Sequence, residues 1–348
     1  MNNRYDRQVR FDGIGEQGQK KILMKHVGII GAGALGTHVA ETLIRAGIGY
    51  LSIIDRDYVE YSNLQRQCLY TERDAGEVLP KAVAAKKHLE QINHNGHVNA
   101  IVGELSGKLF SDKFSTCDVI VDATDNFETR LLLNDLAIKY KIPWIFGGCL
   151  GSKGLTYTII PDETPCLSCL MNHMPFSNDS CDLSGVIAPI VEWVATQQVV
   201  EVFKLLVEDH TALRGTLLYE DMWTNEHISM NVQTLKNPLC LSCGRHRTHP
   251  YLSESKKRYR TSVLCGRDTV HIRPEENMKL DMSYMKQMLM KDELPCVDNG
   301  FLLHTCIDGH RLILFQDGRA LIHNTSDMKW AMKLYMEVIR KGRTCLTE

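Results

Sequence analysis

The sequence predicts an α/β protein in which a mostly parallel sheet is covered by helices on both faces, followed by a small α+β unit. Short apolar runs typical of buried strands alternate with longer amphipathic segments typical of helices over most of the chain. Strands that alternate with helices need crossover connections, and crossovers build parallel sheets with both faces covered. After residue 247 the pattern changes to short strands joined by Asp-Gly pairs, which are typical of hairpin turns.

The composition excludes several classes of protein. The 348 residues are 44% hydrophobic and 24% charged, as in soluble globular proteins. The formal net charge of −2 gives no overall positive field, so we expect neither nucleic acid nor a membrane as a partner. The chain starts with charged residues and no apolar signal segment, and the apolar run 185–207 contains Glu192, Glu201 and Lys204. We therefore expect a cytoplasmic protein with free or metal-bound cysteines.

The predicted first domain covers residues 1–247, with a strand, a glycine turn and a helix at its start. That helix runs over 37–47, and Gly47 fits its C-terminal cap. Further strands are expected at 50–57, 99–104, 118–126, 143–148, 156–161 and 215–222, and further helices at 80–91, 128–142 and 185–207.

A polar and basic linker is predicted over 248–260, followed by a second domain over 261–348. This domain has the pattern β-α-β-β-β-α, with a strand in 262–272, a helix over 282–291 and three strands in 301–323. Asp308-Gly309 and Asp317-Gly318 fit hairpin turns, and Asp327 fits the N-cap of a last helix.

A glycine motif indicates a phosphate-bearing ligand. Gly31 allows a tight turn after the first strand, Gly33 lets a phosphate approach backbone N–H groups, and Gly36 lets the helix pack on the strand. Asp55 ends the second strand, where its carboxylate can accept hydrogen bonds from ribose hydroxyls. This context makes the predicted fold Rossmann-like, with NAD as the default ligand.

Charged and polar residues beyond the second strand favour a triphosphate over a nicotinamide. They are Asp57, Asn63, Gln65, Arg66 and Lys81. Cationic side chains can hold the charge that develops on phosphates. Asp125 follows a later strand at the carboxyl edge of the sheet and fits a Mg²⁺ ligand, while Asp122 is a competing candidate whose position suggests a structural role.

The twelve cysteines fall into three groups. Two Cys-x-x-Cys pairs, Cys166 with Cys169 and Cys240 with Cys243, predict a closed tetrahedral zinc site of structural type. Two redox dithiols are the alternative. Cys181 precedes the long apolar helix and fits either a nucleophile or an ordinary free thiol, and its acidic neighbours oppose a thiolate. The other seven are expected to be packing residues: Cys68, Cys117, Cys149, Cys265, Cys296, Cys306 and Cys345.

Several motifs occur in a characteristic order. They are Arg4-Tyr-Asp-Arg7-Gln, Gly31–Gly36, Asp55-Arg-Asp57, Ser62–Gln67, Asp122–Asn126, the two Cys-x-x-Cys pairs and Gly185–Pro189. In combination they resemble the MoeB/ThiF branch of the ubiquitin-activating enzyme superfamily over residues 4–246. The resemblance implies a homodimeric, ATP-dependent adenylyltransferase that activates the C-terminal glycine of a ubiquitin-like sulfur-carrier protein ending in Gly-Gly. The product would become a carrier thiocarboxylate in thiamin or molybdopterin biosynthesis, with a cysteine desulfurase or sulfurtransferase as sulfur donor.

The resemblance also implies residue roles. Asp55 would hold the ribose, while Asn63, Arg66 and Lys81 contact the phosphates, with Lys86 and Lys87 as alternatives to Lys81. Asp125 would bind Mg²⁺, Arg7 would reach the nucleotide of the partner subunit, and Cys181 would take part in thioester or persulfide chemistry.

Two other functions remain open from the sequence. A nicotinamide-dependent oxidoreductase would explain the glycine motif and Asp55 but would leave Arg7, Arg66 and the cysteine pairs without a role. A non-catalytic relative that only docks a ubiquitin-like partner would not need Arg7, Arg66 or Asp125.

Overall fold

A computed structural model describes residues 3–171, 185–254, 261–263, 268–274 and 278–343. The chain divides into two units, Met1–Lys256 and Lys257–Glu348. Among the described residues, no helix is both long enough and apolar enough to cross a membrane.

The first unit is built on an eight-stranded sheet with the order β3-β2-β1-β4-β5-β6-β7-β8 in the described part of the chain. The first five strands in this order are parallel, and β6, β7 and β8 continue the sheet in antiparallel pairings. The strands are β1 His26–Ile30, β2 Tyr50–Asp55, β3 His97–Val102, β4 Val119–Asp122, β5 Trp144–Leu150, β6 Lys153–Ile159, β7 Leu217–Asp221 and β8 Glu226–Met230.

Helices cover both faces of this sheet, which confirms the predicted fold class. Val27 and Ile29 of β1 belong to one apolar cluster and Ile30 to a second, because neighbouring strand residues point to opposite faces. The helices of the unit are α1 Asp6–Val9, α2 Gly15–Ile22, α3 Ala34–Ala46, α4 Glu72–Gly76, α5 Lys81–Ile92, α6 Gly107–Lys113, α7 Phe127–Tyr140, α8 Leu167–Leu170, α9 Ala188–Val207 and α10 Pro250–Glu254.

The long apolar segment starts its helix later than predicted. Helix α9 begins at Ala188, not at residue 185. Gly185 has a φ of +70°, and Val186 pairs with Gly151 as an isolated bridge, so these residues are extended or turned before the helix starts. Strand β8 was not predicted, since its residues are almost all exposed and lack an apolar alternation.

The second unit contains a six-stranded antiparallel sheet with the order β11-β12-β13-β14-β10-β9 among the described residues. The sequence predicted three strands after the first helix, whereas the structure adds a short fourth one, β11. The elements are β9 Thr261–Val263, β10 Thr269–Ile272, α11 Met282–Lys291, β11 Cys296–Asp298, β12 Leu302–Ile307, β13 His310–Phe315, β14 Ala320–His323 and α12 Met328–Arg343.

Local signals set the turns of this unit. Asp308 and Gly309, with φ values of +49° and +79°, form the two-residue connection between β12 and β13, as a type I′ hairpin turn requires. The Asp327 carboxylate accepts hydrogen bonds from the N–H groups of Lys329 and Trp330 at the start of α12. Apolar residues of α11 and α12 pack on one face of the sheet and form the core of the unit.

Candidate functional site

The glycine turn between β1 and α3 leaves no room for side chains at two of its three glycines. A Cβ on Gly31, whose φ is +105°, would collide with the carbonyl of Ala123, and one on Gly36 would collide with the carbonyl of Gly31. Gly33 is different, because its nearest neighbour would be Gln67 Nε2 at 4.0 Å. Gly31 and Gly36 therefore hold strand and helix together, while Gly33 leaves space beside the N-terminus of α3.

Asp55 fixes the geometry of this turn from the end of β2. One carboxylate oxygen accepts a hydrogen bond from Ala32 N at 2.6 Å, and the other accepts one from Asp57 N at 2.7 Å. Burial raises the pKa of Asp55 above its usual value, and the nearby positive charge of Lys81 opposes this shift. Each oxygen keeps acceptor capacity for a ribose hydroxyl.

Lys81 is the lysine that lies in this group. It is buried at the first position of α5, and its Nζ lies 3.6 Å from Asp57 Oδ2. Lys86 lies more than a turn further along α5, with its Nζ 3.5 Å from Glu90 Oε1. The geometry therefore favours Lys81 over Lys86 as the cation beside the two aspartates.

Tyr70 was missed by the sequence analysis. Its buried hydroxyl lies 2.6 Å from the carbonyl oxygen of Ala32 and 3.1 Å from that of Lys81, so it joins the glycine turn to the start of α5. Burial raises the pKa of Tyr70 well above its usual value, which keeps the hydroxyl protonated. No local pattern marks this tyrosine, because its partners come from two distant segments.

We expect the Tyr70→Phe variant to lose about 1–3 kcal/mol of unfolding free energy, since two buried carbonyl oxygens lose their shared donor. Chemical denaturation monitored by circular dichroism measures this change. Tyr61→Phe is the matched control, because Tyr61 is 64% exposed. Equal stability of the Tyr70→Phe variant and the wild-type protein would contradict the assigned link.

The predicted phosphate-binding loop after β2 has both buried and accessible members. Asn63 is buried, and its Oδ1 accepts a hydrogen bond from Glu60 N at 3.1 Å. Arg66 is half-buried with Nη1 3.0 Å from the Ser62 carbonyl oxygen, and Gln65 is exposed. Asn63 thus shapes the loop through its side-chain amide oxygen, whereas Arg66 and Gln65 have accessible side chains.

Asp122 and Asp125 have distinct environments at the end of β4. Asp122 is fully buried and accepts hydrogen bonds from Thr124 N, from the Thr124 hydroxyl and from Arg130 Nε. Burial raises the pKa of Asp122, and the charge of Arg130 opposes this shift. Asp125 is exposed, and its Oδ1 lies 3.3 Å from Asn126 Nδ2. The accessible carboxylate of Asp125 at this edge fits a Mg²⁺ ligand, whereas the carboxylate of Asp122 is buried and already accepts hydrogen bonds from Thr124 and Arg130.

Arg56 is a second residue that the sequence analysis missed. Its Nη1 lies 2.9 Å from Glu104 Oε1, and its Nε lies 3.8 Å from Asp57 Oδ1. Burial alone would lower the pKa of Arg56, but the negative charges of Asp57, Glu104 and Asp125 raise it. The end of β2 is therefore held to the segment after β3 by an ion pair between residues 48 positions apart.

One predicted site residue that the structure describes is not in this group. Arg7 is exposed on the short helix α1. Cys181 lies outside the described residues.

The four cysteines of the Cys-x-x-Cys pairs come together. All four sulfur atoms lie within 4.8 Å of one another, with separations of 3.8 Å for Cys166–Cys169, 3.7 Å for Cys166–Cys240 and 3.5 Å for Cys169–Cys243. Zn–S bonds of about 2.3 Å in a tetrahedron place sulfur atoms about 3.8 Å apart. The hydrogen bond from the Cys166 thiol lowers the pKa of Cys169. This donor set fits zinc and can hold it.

The remaining cysteines are only partly the packing residues that were expected. Cys117 is buried, and Cys149 and Cys296 are half-buried, but Cys68 and Cys306 are exposed. The packing interpretation is therefore wrong for Cys68 and Cys306. Both thiols are exposed although each has an apolar neighbour in the sequence. Cys265 and Cys345 lie outside the described residues.

Comparison with known proteins agrees with this geometry. The model of the ThiF family matches residues 5–242. The sulfur carrier protein ThiS adenylyltransferase of Bacillus subtilis is 43% identical over 335 residues, covering 96% of this chain and 98% of that protein. The sulfur carrier protein adenylyltransferase of Thermus thermophilus is 34% identical over 271 residues, covering 76% of this chain and 96% of that protein.

Solved structures show the same fold. The crystal structure of Escherichia coli MccB with ATP matches with a TM-score of 0.60 and 24% sequence identity, covering 70% of this chain and 75% of that chain. This likeness concerns the fold alone. The family match and the identity to the two adenylyltransferases, taken with the residues described above, show that the chain belongs to the ThiF family.

Proposed function

We propose that the protein is an ATP-dependent adenylyltransferase that activates the C-terminal glycine of a ubiquitin-like sulfur-carrier protein for thiocarboxylate formation. The observation that carries this proposal is the convergence of three features at one edge of the parallel sheet. They are the glycine turn at the start of α3, the buried Lys81 beside Asp55 and Asp57, and the exposed Asp125 after β4.

The nucleotide would lie across this edge. Asp55 would hold the ribose, and the turn formed with Gly31, Gly33 and Gly36 would bring backbone N–H groups at the start of α3 to the phosphates. The polar side chains Asn63, Gln65, Arg66 and Lys81 would contact the phosphate chain. The accessible carboxylate of Asp125, with Asp57 nearby, offers the oxygen donors that Mg²⁺ prefers, and the ion would supply positive charge to the phosphates.

The reaction needs orientation and positive charge rather than a protein nucleophile. A carboxylate oxygen of the carrier's terminal glycine attacks the α-phosphorus, and a new O–P bond forms as the bond to pyrophosphate breaks. Arg66 and Lys81 would stabilise the charge on the phosphates as this bond breaks. The products are the acyl-adenylate of the carrier and pyrophosphate.

The partners follow from the same chemistry. A sulfur donor, either a cysteine desulfurase or a sulfurtransferase, must supply the atom that displaces AMP. We infer a homodimer in which Arg7, exposed on α1, reaches the nucleotide bound by a second copy of the chain. A cytoplasmic location fits such soluble partners.

Of the two pathways, we favour thiamin over molybdopterin biosynthesis. The ThiS adenylyltransferase of B. subtilis aligns with 96% of this chain, so the similarity extends through the second unit. The pathways share their adenylation chemistry, and the choice rests on the surface that selects the carrier.

ATP–pyrophosphate exchange tests the proposed function. We expect exchange with a ThiS-type carrier that ends in Gly-Gly and none when its last glycine is deleted. A MoaD-type carrier that supports faster exchange would assign the protein to molybdopterin biosynthesis. If a folded protein shows no exchange with either carrier, the proposal is wrong, and hydride transfer or simple docking of the carrier becomes the better account.

Cys181 has a separate predicted role in the sulfur step. We expect Cys181→Ala to keep ATP–pyrophosphate exchange within about twofold of the wild type and to reduce thiocarboxylate formation by at least about tenfold, since adenylation needs no thiol. Mass spectrometry of the carrier measures the thiocarboxylate. Cys306→Ala is the control, because Cys306 is an exposed thiol of the second unit. Loss of exchange in Cys181→Ala would place this cysteine in the adenylation step instead.

A further inference from the structure

We propose that helix α7 couples metal binding at the four cysteines to nucleotide binding at the sheet edge, with Asn134 and Asp135 as positioning residues. The inference rests on the proposed function, since it concerns the same nucleotide site. It assigns a role to two consecutive buried polar residues that the adenylation chemistry does not use.

The first cysteine pair is tied to Asn134. Its Oδ1 accepts a hydrogen bond from Leu167 N at 2.9 Å, and its Nδ2 donates to the Ser168 hydroxyl at 3.3 Å. Leu167 and Ser168 are the two residues between Cys166 and Cys169. A fully buried amide with two such bonds fixes the start of α8, the short helix that contains Cys169 and directly follows Cys166.

The second cysteine pair is tied to the same turn of α7. Asp135 Oδ2 accepts a hydrogen bond from the backbone N of Tyr251 at 2.9 Å, and Tyr251 follows Cys243 by eight residues. Ser242, between those two cysteines, is buried and lies 3.1 Å, hydroxyl to hydroxyl, from Ser168. Through this contact Asn134 is linked to the second pair as well, so a metal ion that draws four thiolates together acts on one turn of α7.

The N-terminal end of α7, about two turns before Asn134, is part of the proposed nucleotide site. Asn126 Oδ1 accepts a hydrogen bond from Thr129 N at 2.9 Å and caps the helix directly after Asp125. Arg130 Nη2 donates to the carbonyl oxygens of Thr124 at 2.6 Å and Gly147 at 2.9 Å. The residue before Asp125 is therefore held by a side chain of α7, and the position of Asp125 depends on that of the helix.

The two sites are joined by one buried stretch of α7. Asn134 follows Asp125 by nine residues, which corresponds to about 14 Å along a helix. Leu132, Leu133 and Leu136 are almost fully buried, so α7 moves as one body with its close-packed surroundings rather than bending between the two sites. A metal ion bound at the four cysteines and a nucleotide bound at the N-terminus of α7 would both favour the same position of the helix. By thermodynamic linkage, each ligand then raises the affinity for the other by the same factor.

The test measures zinc retention rather than activity. Zinc-loaded protein is mixed with a chromogenic chelator, with and without a non-hydrolysable ATP analogue and Mg²⁺, and zinc transfer is followed by absorbance. We expect the nucleotide to reduce the equilibrium extent of transfer, as an affinity change of about fivefold or more. The Asp125→Ala variant should not bind the metal–nucleotide complex. Any change in zinc transfer that the nucleotide causes with this variant therefore comes from chelation of zinc by the free nucleotide.

Two variants test the contacts. Ser168→Ala combined with Ser242→Ala keeps all four thiols but removes hydroxyl links to α7, and we expect the nucleotide effect on zinc to fall below about twofold while nucleotide still binds. The Asn134→Asp variant keeps the acceptor for Leu167 N but loses the donor to Ser168. We expect it to weaken the nucleotide effect on zinc transfer as well. Arg247→Gln is the matched control: Arg247 pairs with Asp162 and donates to the Gly244 carbonyl at 3.0 Å, so it supports the second pair without contacting α7.

The outcomes separate the two proposals. Zinc transfer that is unchanged by a nucleotide shown to bind in equilibrium dialysis would overturn the coupling and leave the proposed function intact. A full nucleotide effect in the double serine variant would overturn the role of these contacts. Failure of the folded wild-type protein to bind nucleotide would overturn the proposed function and the coupling with it.

Discussion

Replacing Asp125 with alanine is expected to lower ATP–pyrophosphate exchange by at least about 100-fold while leaving the protein folded. This is the size of effect seen when one preorganised charge-stabilising group is removed from an active site. The Asp125 side chain is exposed and its Oδ1 lies 3.3 Å from Asn126 Nδ2, so its loss should cost little stability. Exchange kinetics at saturating Mg²⁺, with circular dichroism as the check on folding, measure both quantities.

Glu128→Ala is the matched control for this prediction. Glu128 is an exposed acid in the first turn of the same helix, so its removal changes the net charge and the helix N-terminus in a similar way. We expect the control to keep exchange near the wild-type level. Normal exchange in Asp125→Ala would remove this residue from the adenylation machinery and contradict its assignment as the magnesium ligand.

The second large effect concerns the four cysteines. We expect Cys240→Ser to lose zinc and about 3–5 kcal/mol of unfolding free energy, because a metal that binds only the folded state contributes its binding energy to folding. For a domain of this size the loss corresponds to a fall in Tm of about 10 °C. Elemental analysis gives the zinc content, and thermal unfolding gives Tm.

Cys68→Ser is the control for this loss, since Cys68 is an exposed thiol of the same unit. It should keep both zinc and Tm. A Cys240→Ser protein without zinc but with the wild-type Tm would show that the cluster does not stabilise the fold, and the contacts of Ser168 and Ser242 with α7 would then need another explanation.

The sequence predicted those parts of the fold that depend on local patterns. The strand, glycine turn and helix around Gly31 and Gly36 follow from sterics within a few residues, and the Asp308-Gly309 turn follows from its need for positive φ. The two cysteine pairs are recognisable because metal ligands of this type have a fixed spacing within each pair. In each case the determining contacts are close in sequence.

Features that depend on distant contacts were not predictable. The ion pair of Arg56 with Glu104, the bridge made by Tyr70 and the bonds from Asn134 to the segment after Cys166 all join residues that no short pattern relates. The change from parallel to antiparallel pairing at β6 likewise depends on which edge of the sheet the returning strand meets. Amphipathic alternation marks a strand but does not identify its neighbour.

The strand order also bears on how quickly each unit reaches its native state. Strand β1 lies between β2 and β4. The middle of the sheet therefore forms only when Val27 pairs with Val119, which is more than 90 residues away in the sequence. The β12–β13 hairpin closes through two residues and needs no such search. Because closing long loops costs entropy before any contact compensates for it, the large unit has the topology of a slow folder and the hairpin unit that of a faster one. During synthesis the hairpins of β12–β14 emerge after every strand of the large sheet, because they follow β8 in the sequence.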